Sequence, residues 1–116
     1  MKNSQALLAY QILSPMPLTK FSETIQSVLF HNYLALYDIA EAHDDKLRVL
    51  ESKLKAEGVS PEDIRMRKDM LSRDIKEQEA VVDLKKVSFE QFRAEATKCD
   101  IPISCAAFII LKPMFE

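Results

Sequence analysis

A long stretch of apolar and small residues at helical spacing dominates the sequence. From residue 19 to residue 57 these residues recur in steps of three and four, without a proline or glycine. That spacing places them on one face of an α-helix. Thr19 and Ser22 are both suitable N-terminal caps, so we predict a helix that begins beside one of them and reaches Glu57. The stripe consists of Phe21, Ile25, Leu29, Tyr33, Leu36, Ala40, His43, Leu47, Leu50 and Leu54.

A well-specified turn follows this helix. Gly58 fits the left-handed position just past a helix C-terminus. Ser60 is a favourable N-cap, and Pro61 suits the first helical position, where no backbone N–H is needed. Val59 and Ile64 stand at the two positions of a hydrophobic staple. We therefore predict that the chain reverses here and forms an antiparallel helical hairpin.

The returning arm of the hairpin carries two sets of apolar residues. The inner stripe consists of Ile64, Leu71, Ile75 and Val82, and polar Lys68, Gln78 and Lys85 fall on the same seam. The outer set consists of Met66, Met70, Val81 and Leu84. Two explanations of the outer set stay open. It packs under the terminal segments of the chain, or it forms an exposed surface on which methionine adapts to a partner.

Shorter elements are predicted at both ends of the chain. Residues 4–13 favour a short helix, which the prolines at positions 15 and 17 end. Ser88 and Gln91 form a capping-box pattern, so we predict a break in the returning arm near residues 86–88 and a new helix to about Lys98. The alternative is one unbroken helix that contains Ser88.

The C-terminal tail, residues 103–112, is ambiguous between a helix and an edge strand. Ser104 is a suitable cap for a helix that would bury Phe108, Ile109 and Leu111. The same aromatic and β-branched content is also typical of a strand, and a short apolar run does not distinguish the two by its period. We favour the helix.

Composition supports an all-α fold. The chain has a single glycine where average usage predicts about eight. Glycine supplies the positive φ of tight hairpins and phosphate-binding loops, so a β-fold or a phosphate-binding enzyme is disfavoured. We expect one domain over residues 1–116, a long antiparallel helical hairpin with short N- and C-terminal helices packed on it.

Charge and cysteine content narrow the function classes. The net charge of −2 lacks the positive excess typical of proteins that bind nucleic acid through its phosphates. Cys99 and Cys105 are too few for a secreted disulfide scaffold. We find no signal peptide and no apolar run long enough to span a bilayer, and we expect a cytoplasmic protein without a membrane partner.

Candidate chemistry is sparse. His43 has acidic neighbours, but the stretch lacks the three- or four-residue ligand spacing of helical metal sites. No serine or cysteine has the surroundings of a recognisable nucleophile. The sequence therefore predicts no catalytic residue, no metal and no cofactor.

The favoured hypothesis is a non-enzymatic adaptor, inhibitor, immunity-type protein or chaperone that binds another protein through helix faces. The predicted partner-binding residues are Arg65, Met66, Met70, Arg73, Val81 and Leu84. The alternative is a small regulator that binds nucleic acid through the basic cluster at residues 65–73, although aspartates interleave with that cluster. Homo-oligomerisation is also left open.

Overall fold

The computed structural model describes all 116 residues and contains helices but no β-sheet. The helices are α1 (Asn3–Leu13), α2 (Glu23–Ala56), α3 (Pro61–Glu77), α4 (Phe89–Lys98) and α5 (Cys105–Ile110). Short 3₁₀ turns occupy Leu18–Lys20 and Lys112–Met114. The only strand-like pairings are two isolated bridges, Lys2 with Glu79 and Val87 with Phe115. The prediction of an all-α fold built on a helical hairpin is confirmed.

The molecule consists of a packed head and a projecting hairpin. It measures 54 × 24 × 23 Å, and the 34 residues of α2 run along almost the whole long axis, about 51 Å at ~1.5 Å per residue. The core of the head joins α1, the N-terminal half of α2, α4 and the C-terminal segment. Its buried residues are Ala6, Ala9, Leu13, Leu18, Phe21, Ile25, Leu29, Leu36, Val87, Phe92, Ala96, Ile101, Leu111 and Met114.

The turn of the hairpin forms as predicted. Gly58 adopts a φ of +75°, in the left-handed region. The N–H of Val59 donates to the carbonyl of Leu54 at 3.0 Å, which satisfies a carbonyl that the end of α2 would leave unpaired. The hydroxyl of Ser60 accepts from the N–H of Asp63 at 3.3 Å and caps α3. Local sequence therefore determines the reversal without help from the head.

The seam between the two arms is partly polar. Lys68, which the pattern placed among apolar residues, extends across the seam and pairs with Glu51 at 3.4 Å. Hydrogen bonding to Lys68, and then to Lys55, lowers the pKa of Glu51 below its usual value. Closer to the head, His43 Nε2 and Ser72 Oγ lie 2.9 Å apart. Lys68 and Ser72 thus each have a polar partner on α2 across the seam.

The N-terminus of α2 is tied to α4. Ser22 occupies the predicted N-cap position, but its side chain does not cap the helix. Its N–H donates to Glu95 Oε1 at 2.6 Å and its hydroxyl donates to Glu95 Oε2 at 2.9 Å. Burial alone would raise the pKa of Glu95; the two bonds from Ser22, together with a bond from Gln91 and the charge of Lys98, outweigh that effect and hold the pKa below its usual value. The carboxylate therefore joins the two helices in its ionised form.

The end of α3 differs from the prediction. The helix stops at Glu77, about nine residues before the break expected near Lys86. The beginning of α1 supplies the reason. The side chain of Asn3 donates to the carbonyl of Ile75 at 2.9 Å, and the N–H of Asn3 donates to the carbonyl of Gln78 at 2.9 Å. These bonds satisfy carbonyls that would otherwise favour a further helical turn.

Residues 79–87 instead form an extended segment beside α2, so the alternative of one unbroken helix through Ser88 is wrong. Asn32, which is fully buried on α2, fixes this segment. Its Oδ1 accepts from the N–H of Lys85 at 2.8 Å, and its Nδ2 donates to the carbonyl of Lys85 at 2.9 Å. His31 Nε2 lies 3.1 Å from the carbonyl of Asp83. Side chains of α2 thus hold the backbone of this segment at Asp83 and Lys85.

The helices of the C-terminal third begin where the caps predicted. Ser88 Oγ accepts from the N–H of Gln91 at 3.3 Å, and Ser104 Oγ accepts from the N–H of Ala107 at 3.1 Å. The helical interpretation of the tail is therefore confirmed. Its expected buried face is wrong in one position: Leu111 is fully buried, but Ile109 is 73 % exposed.

Candidate protein-binding surface

The predicted partner-binding residues do not form one face. Arg65, Met66, Met70 and Arg73 are exposed along α3. Because α3 ends at Glu77, Val81 and Leu84 lie beyond it on the extended segment. Val81 is 98 % exposed, whereas Leu84 is partly buried and packs against the core of the head. The structure therefore divides the predicted set between the hairpin and the head.

A second exposed apolar stripe lies on α2 and was missed from the sequence. Phe30, Leu34 and Tyr37 follow one another at intervals of four and three residues, and all three are exposed, Leu34 to 60 %. The step from buried Leu29 to Leu34 turns the helix by about 140°, so this stripe points away from the core. On the returning arm we searched for apolar residues beside the main stripe. The same search on α2 would have found Phe30, Leu34 and Tyr37.

The three tyrosines of the chain gather at this stripe. Tyr10 of α1 stacks on Tyr33 with ring centroids 5.5 Å apart and an interplanar angle of 23°. Its ring also lies 6.1 Å from that of Tyr37. The interaction with the Tyr33 hydroxyl, followed by desolvation, raises the pKa of Tyr10 above its usual value. We call Tyr10, Phe30, Tyr33, Leu34 and Tyr37 the aromatic surface.

Grooves extend the aromatic surface toward the proline-containing connector after α1. A groove of about 300 Å³ is lined by Phe30 and Tyr33 together with Leu13, Ser14, Met16, Pro17, Leu18 and Thr19. A larger groove of about 700 Å³ shares Met16 and Pro17 with it and continues along Ile12, Pro15, Ile101, Pro102, Ile103, Ser104 and Ala107. The two grooves therefore meet at Met16 and Pro17 of the connector.

Acidic residues border the other end of the aromatic surface. Glu41 lies four residues after Tyr37 on the same stripe of α2 and is exposed. Asp44 follows three residues later and is also exposed. The stripe thus changes along α2 from apolar to negatively charged.

Both histidines line a separate cleft of about 520 Å³ between α2, the end of α3 and the extended segment. His31 contacts the carbonyl of Asp83, and His43 contacts Ser72 and Asp44. Nowhere in the chain do three histidine, cysteine, aspartate or glutamate side chains gather as a metal site would require. Cys99 and Cys105 are free thiols.

None of the five helices combines the length and the apolar composition needed to cross a membrane. Comparison with protein-family models, with curated proteins and with solved structures gave no match for this chain.

Proposed function

We propose that this chain is a non-enzymatic binding protein whose aromatic surface binds an amphipathic helix of a partner protein. The observation that carries the proposal is the exposed stripe of Phe30, Leu34 and Tyr37 beside the stacked tyrosines. Exposed contiguous apolar area on a folded chain commonly marks an interaction site. Tyrosine and phenylalanine are the residue types enriched at the energetic centres of protein interfaces.

Pre-organisation supports high affinity at this surface. Tyr10 and Tyr33 already hold each other by stacking, so less side-chain freedom is lost when a partner docks. Both residues emerge from helices that are packed into the same core, which fixes their separation. An aromatic ring also contributes a large contact area for few rotatable bonds.

The order of apolar and charged residues along α2 indicates the chemistry of the partner. From Phe30 to Tyr37 the stripe covers about 10 Å, or two helical turns. Glu41 and Asp44 follow at one end. A partner helix that lies along α2 would match this order with two turns of apolar anchors followed by lysine or arginine.

Site-specific photocrosslinking tests the proposal. A benzophenone amino acid placed at Leu34 should give a discrete crosslinked species in the native host, and mass spectrometry should locate the crosslink on an apolar helical stretch of one protein. Val49 is the matched control because it is an exposed aliphatic residue, 69 % accessible, on the same helix and about 22 Å farther along. The same probe at Val49 should give no such species.

The crosslink should also depend on the neighbouring anchors. Phe30→Ala and Tyr37→Ala, each combined with the probe at Leu34, should reduce it strongly and leave the fold intact, because both side chains are exposed. Equal crosslinking from Leu34 and Val49, or crosslinks that ignore both alanine variants, would count against the aromatic surface.

The partner-binding residues predicted on α3 are not tested by the structure, and they stay a prediction for a second contact with the partner protein. Arg65, Met66, Met70 and Arg73 lie on the hairpin, away from the aromatic surface. The alternative of nucleic-acid binding through residues 65–73 has less support, because Lys68 in that cluster is paired with Glu51.

A further inference from the structure

The extended segment after α3 has the side-chain pattern of a β-strand. Val82 and Leu84 are partly buried and pack against the core of the head. Val81, Asp83 and Lys85 alternate with them and are exposed. An inward–outward period of two is the geometry of a strand that lies on one face.

Three backbone groups on one edge of this strand contact side chains of α2, and the other edge is free. The N–H and C=O of Lys85 bond to Asn32, and the C=O of Asp83 lies against His31, so the odd-numbered residues present their backbone groups toward α2. In an extended strand the neighbouring residues present theirs to the opposite edge. That edge belongs to the even-numbered residues.

The free edge consists of Val82, Leu84 and Lys86. Their N–H and C=O groups have no hydrogen-bond partner within the chain. Backbone groups without an internal partner must face water or another chain, and an unpaired strand edge is a template for pairing. At its two ends the segment is already bridged, to Lys2 at one and to Phe115 at the other.

We propose that a second copy of this chain pairs antiparallel with the free edge, in a register centred on Leu84. Leu84 then exchanges two backbone hydrogen bonds with Leu84 of the second copy. Val82 exchanges two backbone hydrogen bonds with Lys86 of the second copy. The two-fold symmetry repeats that pair, which gives about six hydrogen bonds in all. Such self-pairing is the isologous contact of a two-fold dimer.

Charge complementarity on the outward face favours a second copy over a foreign strand. The register places Asp83 directly opposite Lys85 of the second copy, and symmetry repeats the pair. Both fall in non-hydrogen-bonded positions, where opposing side chains approach most closely and opposite charges stabilise the pairing. The backbone bonds of this segment to α2 do not involve either side chain.

Sedimentation equilibrium of the full chain, from micromolar to low-millimolar concentration, tests the register. Wild type should dimerise reversibly. Asp83→Lys and Lys85→Asp should each weaken the dimer by about tenfold or more, because each turns two opposite-charge pairs into like-charge pairs. The double variant has the net charge of wild type and should recover its affinity.

Mixing the two single variants gives the sharpest result. Lysines at 83 and 85 of one chain face aspartates at 83 and 85 of the other, so the mixture should form a heterodimer although neither variant self-associates well. Leu34→Asp, on the aromatic surface, should leave the dimer unchanged, which separates this proposal from the proposed function. Unaltered melting temperatures should show that the variants fold.

A wild type that stays monomeric throughout this range overturns the proposal. So does a dimer that neither charge exchange weakens, or a mixture in which no heterodimer forms. If a strand of another protein occupies the free edge instead, the wild type alone should stay monomeric.

Discussion

Asn32→Leu is the substitution that most directly tests how the extended segment is held. Asn32 is the one polar residue among the buried side chains, and its amide makes two hydrogen bonds to the backbone of Lys85. Leucine has the same branched shape with two larger methyl groups and is a better helix former, so neither a cavity nor helix propensity explains a loss of stability. The change removes both hydrogen bonds, and hydrogen exchange at Lys85 distinguishes their loss from the cost of fitting a larger side chain.

The expected cost is about 2–4 kcal/mol in the free energy of unfolding. Two neutral hydrogen bonds contribute about 1 kcal/mol each. The N–H and C=O of Lys85 are then left without partners in a partly buried position, which adds roughly 1–2 kcal/mol unless the segment moves out to water. Moving out would sacrifice the packing of Val82 and Leu84 against the core.

Urea denaturation followed by circular dichroism measures this loss, and amide hydrogen exchange locates it. In wild type the N–H of Lys85 should exchange slowly; in Asn32→Leu it should exchange quickly, while amides in the middle of α2 stay protected. His31→Ala, which removes a single contact to the same segment, is the control and should cost about 1 kcal/mol or less. A loss below about 0.5 kcal/mol in Asn32→Leu, with unchanged protection of Lys85, would refute the reasoning.

Three further predictions concern the hairpin and the contact between α2 and α4. Gly58→Ala should lower the free energy of unfolding in urea by about 1 kcal/mol, because the position has open space around it and only the left-handed φ is strained. Lys68→Met should raise the pKa of Glu51 in an NMR titration, since Lys68 is the main cause of its depression. In wild type the lowered pKa of Glu51 means that its ionised form stabilises the fold at pH values above the unfolded pKa. This contribution should therefore fade as the pH falls below about 4.5. Glu95→Ala should cost about 1–2 kcal/mol by the loss of both bonds from Ser22, and Glu95→Gln, which keeps one acceptor, should cost less.

The parts of the fold that local sequence determines were predictable. The reversal after α2 depends on one residue that tolerates positive φ, one cap and one proline, all within four positions of each other. The starts of α4 and α5 likewise depend on Ser88 and Ser104, whose hydroxyls bond within their own first turns. These caps and turn residues act through bonds to their own first turns, so their effect does not depend on tertiary packing.

The end of α3 was not predictable in the same way. No glycine or proline lies between Glu77 and Ser88, and the cap at Ser88 marks where the next helix begins, not where the previous one ends. The helix stops because Asn3 bonds to its last carbonyls and Asn32 fixes Lys85. Residues more than forty positions away determine this boundary, and periodicity within a window does not detect them.

The candidate site was missed for a related reason. Tyr33 and Tyr37 are close in the sequence, but the ring that joins them, Tyr10, comes from α1. The stripe of Phe30 and Leu34 was readable from spacing alone. Its exposure was not, because that depends on where α1 and the C-terminal segment pack around α2.

The affinity of the crosslinked partner for two surface variants tests the proposed function most directly. Isothermal titration calorimetry would compare wild type, Leu34→Asp and Val49→Asp, two changes of similar chemistry at exposed positions on one helix. If the aromatic surface is the binding site, Leu34→Asp should raise Kd by about thirtyfold or more, as expected for an interface hot spot, and Val49→Asp should leave Kd within about twofold of wild type. Equal affinities of the two variants would contradict the assignment of binding to the aromatic surface.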